Sequence, residues 1–126
     1  MFYGVSPTYN TAPLLYSLGI EGVSNDALYT NTTVALRPGT GELVWHFQHV
    51  SNDQYDLDWS FERSIVELEV NGRIKKVIVT SGKPALFDAF DAETGEYLFS
   101  IDSGFQNLFS SIDPVTGEKI INPNIF

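Results

Sequence analysis

The sequence has no cysteine and few basic side chains: seven lysine and arginine residues stand against sixteen aspartate and glutamate residues, for a net charge of −9. The absence of cysteine excludes a disulfide framework and a thiolate metal site. The shortage of basic residues argues against a nucleic-acid-binding surface, because contacts to phosphates need clustered lysine and arginine. We therefore predict neither a disulfide-stabilised fold nor a nucleic-acid partner.

Long apolar runs are also missing from the sequence. No stretch approaches the roughly 20 residues that a membrane-spanning helix needs, and residues 1–4 lack the charged start and apolar stretch of a signal peptide. We expect no membrane span in this segment. What is present is an apolar fraction of 43%, with 13% aromatic residues, in 126 residues. This composition predicts one globular domain with a hydrophobic core.

The first part of the chain is predicted to be an ordered loop region. Residues 1–27 are rich in Pro, Gly, Ser, Thr and Asn. Pro7 and Pro13 exclude a long helix there, and neither a strand period nor a helix period is sustained. Residues 28–64 are predicted to hold part of one sheet, with two strands joined by a tight turn and then an acidic loop.

Residues 65–101 are predicted to form a four-stranded antiparallel meander. Residues 65–70 alternate between apolar and polar side chains, and Asn71-Gly72 follows them directly, which is the strongest short hairpin signal. Residues 102–126 begin the next segment. Because no part of the chain shows a sustained 3.6-residue apolar period, the predicted class is all-β.

A short unit recurs in the sequence. Each copy has a strand, a turn with Thr-Gly-Glu, and a second strand with a large aromatic residue in the two fuller copies; a weaker third copy lies at residues 111–118. Such recurrence is typical of stacked four-stranded sheets. The alternative is that Thr-Gly-Glu is merely a common hairpin turn. The matched positions are Ala35, Gly41 and Trp45 in the first copy, and Ala89, Gly95 and Phe99 in the second.

This unit resembles the tryptophan-docking motif of the pyrroloquinoline-quinone (PQQ)-dependent alcohol and methanol dehydrogenases, Ala-x-Asp-x-x-x-Gly-x-x-x-Trp. Arg37 departs from the motif's Asp, and Phe99 departs from its Trp. The resemblance implies a β-propeller of about eight four-stranded blades. The chain would then supply about two blades, so we expect it to be a fragment of a longer protein and inactive alone. Trp45 and Phe99 would pack between blades.

The acidic loop strengthens the resemblance. Residues 52–58 look like the family's His-Asp-x-Trp-Asp-Tyr segment, and Asp56 matches its active-site aspartate, the base that takes the alcohol's proton while hydride passes to the quinone. Asp58 stands where lanthanide-using members carry an additional Asp. The resemblance therefore implies a Ca²⁺ or lanthanide ion bound by Asp56 and Asp58. Lys83 stands where the family places a cation near the quinone oxygens. Taken alone, an acidic loop and a hairpin lysine are more often solvated surface features.

The metal site has one mismatch with the family. The family's Gly-x-Gly-Asn segment supplies an Asn ligand, but the nearest match here ends in Pro7, which has no ligating side chain. That ligand is then missing, or a neighbour such as Thr8 or Asn10 replaces it. His46 and His49 stand three residues apart, which on a strand puts them on opposite faces and spoils them as a ligand pair.

The resemblance implies an alcohol substrate, an electron acceptor such as a cytochrome c, and a periplasmic or otherwise exported parent protein. Two other interpretations stay open. One is a non-catalytic propeller scaffold of the kind that assembles outer-membrane proteins, which would need neither the Asp pair nor Lys83. The other is a free-standing small β domain, which would leave open sheet edges at both ends.

Overall fold

Nine β-strands make up the regular structure of the described residues. The structure is a computed structural model that describes residues 1–7, 16, 18–59 and 61–125. In these residues there is no helix long and apolar enough to cross a membrane. The predicted all-β class is confirmed. In chain order the strands are β1 (Phe2–Val5), β2 (Thr32–Leu36), β3 (Leu43–Gln48), β4 (Ser64–Val70), β5 (Arg73–Ser81), β6 (Leu86–Asp91), β7 (Tyr97–Asp102), β8 (Phe109–Ile112) and β9 (Lys119–Ile121).

The first sheet has three antiparallel strands in the order β1-β2-β3. The prediction of a loop throughout residues 1–27 is wrong at β1, where Phe2 pairs with Ala35 and the pairing continues to the end of the strand. The strand was missed because it is short and its partner comes much later in the chain, so no local turn signal marks it. The second strand begins at Thr32 rather than at residue 28, because residues 28–31 form a turn.

The second sheet has four antiparallel strands in the order β4-β5-β6-β7, which is the meander expected over residues 65–101. Its first hairpin turns at Asn71-Gly72, where φ is 52° and 76°. Two successive left-handed residues are what a type I′ turn requires, so the Asn-Gly signal predicted this turn correctly. A third sheet pairs only β8 with β9 in the described residues.

The repeated unit folds into the same turn three times. In each copy the N–H of the first turn residue donates to the carbonyl of the residue five positions later, and its carbonyl accepts the N–H of the turn glycine. These first residues are Arg37, Asp91 and Asp113. The glycines have φ values of 74° to 75°, a conformation that residues with a Cβ rarely adopt. The repeat therefore encodes a defined backbone turn, at Gly41, Gly95 and Gly117.

Trp45 joins the first sheet to the second. Its side chain is buried, and its Nε1 donates to the carbonyl of Ala92 at 3.2 Å. A Cβ built on Gly95 would lie 2.7 Å from the indole, so only glycine leaves room for the ring at this turn. Phe90 meets the indole edge to face, with ring centroids 5.6 Å apart. Ala35 and Ala89 are buried in the two sheets that meet here.

The same arrangement recurs at the third sheet with a different aromatic residue. Phe99, the aromatic residue expected to pack between blades, is 37% exposed in the described structure. Tyr97 covers the turn glycine instead: a Cβ on Gly117 would lie 2.5 Å from the Tyr97 ring. Residues two apart on a strand share a face, so the sequence could not decide between the two aromatic rings.

The docking of Trp45 on Gly95 predicts different effects for two matched substitutions. Gly41→Ala introduces a Cβ at φ 74° with nothing within 4 Å, so it should lower the free energy of unfolding by roughly 1–2 kcal/mol through backbone strain alone. Gly95→Ala has the same strain, and its added Cβ also collides with the indole. It should therefore lower the free energy of unfolding by roughly 1–3 kcal/mol more than Gly41→Ala does. Urea denaturation of both variants measures the difference. Equal losses would mean that the indole does not dock on Gly95.

Candidate functional site

The acidic loop between β3 and β4 is organised around the buried side chain of Asp53. Its Oδ1 accepts the N–H of Tyr55, and its Oδ2 accepts the N–H of Leu57, each at 2.8 Å. Asn31 donates its side-chain Nδ2 to the same Oδ2 at 3.1 Å. Three hydrogen bonds satisfy this carboxylate and fold the loop back over the end of the first sheet.

The end of the loop is held from both sides. The backbone N–H of Trp59 donates to Oδ1 of Asn31 at 2.8 Å, so one asparagine contacts both Asp53 and Trp59. The guanidinium of Arg63 donates to the carbonyl of Trp59 and, at 3.1 Å, to Oγ1 of Thr33. Burial lowers the pKa of Arg63 to about 10, which leaves it charged at neutral pH.

Asp56, Asp58 and Lys83 come together in space. The Nζ atom of Lys83 lies 2.7 Å from Oδ2 of Asp56 and 3.7 Å from Oδ2 of Asp58. The side chains of Asp56 and Lys83 are about half exposed, whereas that of Asp58 is 23% exposed. Both aspartates have left-handed backbones, with φ of 58° and 56°. Three residues selected from two separate segments therefore form one cluster, called the acidic cluster below.

Two contacts bring Lys83 to this loop. Its backbone N–H donates to the carbonyl of Leu57 at 2.7 Å. The preceding residue, Gly82, packs on the indole of Trp59 so closely that a Cβ there would lie 2.5 Å from the ring. The β5–β6 connection can approach the acidic cluster because residue 82 has no side chain.

The carboxylate oxygens of the acidic cluster are suitable ligands for a hard cation, but they are few. Two carboxylate oxygens converge on one positive charge, that of Lys83, and carboxylates are the donors that Ca²⁺ and related hard ions prefer. Such ions take six to eight oxygen ligands. In the part of the chain that the structure describes, no group of three or more His, Cys, Asp or Glu could hold a metal ion.

The region around Pro7, where the family has its asparagine ligand, adds no described residue to the possible metal ligands. Pro7 is buried and has no ligating side chain. The two residues named as replacements, Thr8 and Asn10, lie outside the described residues. If a metal ion binds the acidic cluster, Asp56 and Asp58 are the described residues that would hold it.

A buried network next to the cluster was missed from the sequence. His49 Nδ1 lies 2.7 Å from Oδ2 of Asp88, and the Nζ of Lys119 donates to the same oxygen at 2.8 Å. All three side chains have no exposed surface. Lys119 also donates to the carbonyl of His49 at 3.0 Å. His49, Asp88 and Lys119 are called the buried ionic network below.

No local signal in the sequence points to this network. Asp88 lies 39 residues after His49, and Lys119 lies 70 residues after it. The only chemistry that the local pattern suggests for His49 is a metal site shared with His46, which their spacing disfavours. The structure leaves His46 exposed and buries His49, as their spacing on a strand predicts.

The hydrogen bonds of the network fix the protonation of His49. The hydroxyl oxygen of Thr33 accepts from Arg63, so its own hydrogen is available to His49 Nε2 at 2.8 Å. His49 then carries its proton on Nδ1 and donates to Asp88. Burial lowers the pKa of His49 to about 4, against the opposing effect of Asp88, so the imidazole is neutral at neutral pH.

The remaining charges of the network balance. Burial raises the pKa of Asp88, but the hydrogen bond from His49 and the charge of Lys119 outweigh it, so the pKa lies below its ordinary value. Burial lowers the pKa of Lys119 and the Asp88 carboxylate opposes this, with the lowering prevailing. The 2.8 Å contact between Lys119 Nζ and Asp88 Oδ2 pairs one ammonium with one carboxylate in the core.

The sequence is similar to known quinone-dependent enzymes. Residues 7–119 match the family profile described as "PQQ: Glucose/ethanol/alcohol dehydrogenase, beta-propeller domain". The dehydrogenase subunit of the quinone alcohol dehydrogenase of Gluconacetobacter polyoxogenes is 38% identical over 115 residues, which are 91% of this chain. The 1-butanol dehydrogenase (cytochrome c) of Thauera butanivorans is 37% identical over 98 residues, or 78% of this chain. The aligned residues make up only 15% and 14% of those relatives.

The fold is similar to solved structures of the same kind. A quinohemoprotein alcohol dehydrogenase of Pseudomonas putida superposes with a TM-score of 0.72 and 31% identity, covering 77% of this chain and 14% of that one. A europium-containing methanol dehydrogenase superposes with a TM-score of 0.79 over 97% of this chain and 20% of that one, at 24% identity. The second likeness concerns the fold alone.

The buried, neutral His49 predicts a loss of stability in mild acid. The unfolded chain binds a proton on His49 below about pH 6.5, whereas the folded chain does so only below about pH 4. Between these values unfolding takes up a proton, so the free energy of unfolding should fall as the pH falls, by roughly 3 kcal/mol over the whole window. Urea denaturation at a series of pH values measures this slope.

Two substitutions identify the residue responsible for the slope. His49→Gln removes the titrating group and should flatten the slope between pH 6.5 and 4, although it also lowers stability at neutral pH. His46→Gln, at an exposed position of the same strand region, should keep the slope. A slope that survives His49→Gln would assign the acid sensitivity to another group.

Proposed function

Because the chain belongs to the β-propeller domain family of the PQQ-dependent glucose, ethanol and alcohol dehydrogenases, we propose that it forms part of a quinone-dependent alcohol dehydrogenase. The observation that supports this proposal best is the convergence of Asp56, Asp58 and Lys83 in one exposed cluster. The chain spans about 15% of the length of its curated relatives, so activity would belong to a longer protein.

Each member of the acidic cluster has a role in this proposal. Asp56 is the general base: a half-exposed carboxylate that accepts the hydroxyl proton of an alcohol. Lys83 is the proposed cofactor-binding residue, whose ammonium would lie against the quinone oxygens and stabilise negative charge there. A bound quinone would supply the two-electron acceptor that no side chain here offers.

Asp56 and Asp58 are proposed to contribute two carboxylates to a Ca²⁺ or lanthanide site. Their oxygens already converge on one cationic group, and hard anionic oxygens suit both kinds of ion. The remaining ligands would come from elsewhere in the longer protein. In this arrangement the metal ion and the Lys83 ammonium compete for Oδ2 of Asp56.

The partners follow from the relatives' names. Two relatives are named as cytochrome c-linked enzymes, the 1-butanol dehydrogenase and the lupanine 17-hydroxylase of a Pseudomonas species. We propose that the longer protein passes its electrons to a cytochrome c, and that it acts in the periplasm or another exported location. A non-catalytic scaffold is the alternative, but it gives no reason for two carboxylates and a lysine to meet on an exposed loop.

Asp56→Asn tests the assignment of the base. The variant is best made in a chimera in which this chain replaces the 115 aligned residues of the Gluconacetobacter polyoxogenes subunit. Because asparagine keeps the size but cannot take a proton, turnover with ethanol should fall by roughly 10²–10⁴-fold at full quinone occupancy. Glu69→Gln, an exposed carboxylate on β4, is the matched control and should leave turnover unchanged.

Lys83→Ala in the same chimera should lower both quinone retention and turnover, because the ammonium would contact the quinone before and during the reaction. Quinone content measured by absorbance separates the two effects. Turnover within a few-fold of the parent in Asp56→Asn at full occupancy would contradict the assigned base. The scaffold interpretation would then gain support.

The metal assignment predicts opposite effects of two substitutions on lanthanide binding. In the chimera, Asp58→Asn should weaken terbium binding by about tenfold or more, because it removes one anionic ligand. Lys83→Ala should strengthen it, because it removes the competing ammonium. Terbium emission sensitised by nearby tryptophan gives both affinities. An unchanged affinity in Asp58→Asn would mean that Asp58 only shapes the loop.

A further inference from the structure

The buried ionic network lies directly against Trp59. The His49 ring is parallel to the Trp59 indole, with an interplanar angle of 5° and ring centroids 5.5 Å apart. The Nζ of Lys119 lies 5.1 Å from the centre of a Trp59 ring, within the range of a cation–π contact. The network and the indole therefore form one packed unit.

The orientation of the indole depends on this packing. Trp59 is fully buried, and its Nε1–H has no hydrogen-bond partner among the described residues. No hydrogen bond of the ring itself sets its angle. Packing sets the angle instead: His49, Lys119 and Gly82 contact the ring, which also belongs to an apolar core cluster with Val50, Leu57, Leu86 and Phe109.

Trp59 is also the structural neighbour of the acidic cluster on two sides. It directly follows Asp58 in the chain, and its indole packs on Gly82, which directly precedes Lys83. A shift of the indole would displace the carboxylate and the ammonium together. Their separation is 3.7 Å, so small displacements matter for any shared ligand.

We propose that His49, Asp88 and Lys119 are positioning residues for the candidate active site, which they hold in place through the indole of Trp59. The proposal rests on the proposed function for the identity of that site. The ionic members come from separate sheets, Asp88 on β6 and Lys119 on β9, while His49 follows β3. Directional hydrogen bonds among them fix one arrangement of the three sheets, which an apolar filling of the same space would not require.

Native-state hydrogen exchange of the 126-residue chain tests the proposal without a cofactor. Two amides report on the site: that of Trp59, bonded to Asn31, and that of Lys83, bonded to Leu57. Lys119→Met removes the ammonium and keeps an unbranched side chain. It should raise the exchange rates of both amides by about tenfold or more, while amides of the β4–β5 hairpin change little.

The chain offers a matched control for this experiment. Lys75 and Asp91 form an ion pair at 2.8 Å on the same sheet as Asp88, but away from Trp59. Lys75→Met removes an ammonium from a pair of equal length and should leave the Trp59 and Lys83 amides within about twofold of their original exchange rates.

A second variant covers the case in which Lys119→Met does not fold. Thr33→Val removes the hydroxyl that bonds both His49 Nε2 and Arg63 Nε, leaves Asp88 and Lys119 paired, and should raise the same two amide exchange rates by a smaller factor. The proposal is overturned if, in a folded variant, only amides of β8 and β9 exchange faster, or if all amides accelerate equally. The network would then only join the sheets or support global stability.

A double-mutant cycle in the chimera links the network to the reaction. Asp88→Asn should lower turnover by roughly 10–100-fold, the effect typical of groups that orient active-site residues. In an Asp56→Asn background it should lower turnover much less, because the positioned base is already absent. If Asp88→Asn lowers turnover by the same factor in both backgrounds, His49, Asp88 and Lys119 do not act by positioning Asp56. Failure of the proposed function would differ: Asp56→Asn alone would leave turnover intact, whereas the exchange result would stand.

Discussion

The carboxylate of Asp88 is fully buried, and a charge in that place is stable only when fixed partners replace water. The ammonium of Lys119 supplies the opposite charge, and the imidazole of His49 supplies a neutral donor. Ser100 donates to the other oxygen at 2.6 Å. These partners lie on β7, on β9 and just after β3, so the three sheets must keep their relative positions for the charge to remain satisfied. Trp59 packs on this arrangement, and the acidic cluster is built beside Trp59.

Two lysine–aspartate pairs have nearly equal N–O distances but differ in burial, and burial decides whether a pair stabilises the fold or is available to a ligand. Lys119 and Asp88 lie 2.8 Å apart without exposed surface, where losing either partner would strand a charge in the core. Lys83 and Asp56 lie 2.7 Å apart with about half of each side chain exposed. Water can replace either partner of this second pair, so it contributes little to stability. Either member of the exposed pair can therefore exchange its partner for another charged group, whereas the members of the buried pair cannot.

Local patterns in the sequence predicted the local structure well. The Asn71-Gly72 hairpin and the three Thr-Gly-Glu turns depend on a few neighbouring residues and on left-handed backbone conformations, which sequence types report directly. The strand β1 and the His49–Asp88 contact depend on partners far along the chain, and no local pattern reports them. The choice of Tyr97 over Phe99 depends on packing between two side chains of one strand face.

The meeting of Asp56 with Lys83 was predictable for a different reason. These residues lie 27 positions apart and share no local pattern, but the resemblance supplied their order and their place after a docking turn. The structure shows how the two residues meet: through one backbone hydrogen bond from Lys83 to Leu57, and through the absence of a side chain at Gly82.

The repeated turns connect the strands of the sheets, and each needs its glycine and its two backbone hydrogen bonds to do so. The long connection between β3 and β4 does not have to form such a turn. At its start the N–H of His49 donates to the carbonyl of Asn31, and near its end Asn31 and Arg63 both bond the backbone of Trp59. A loop held in place by a rigid scaffold can carry a reactive group, and the acidic residues lie on such a loop.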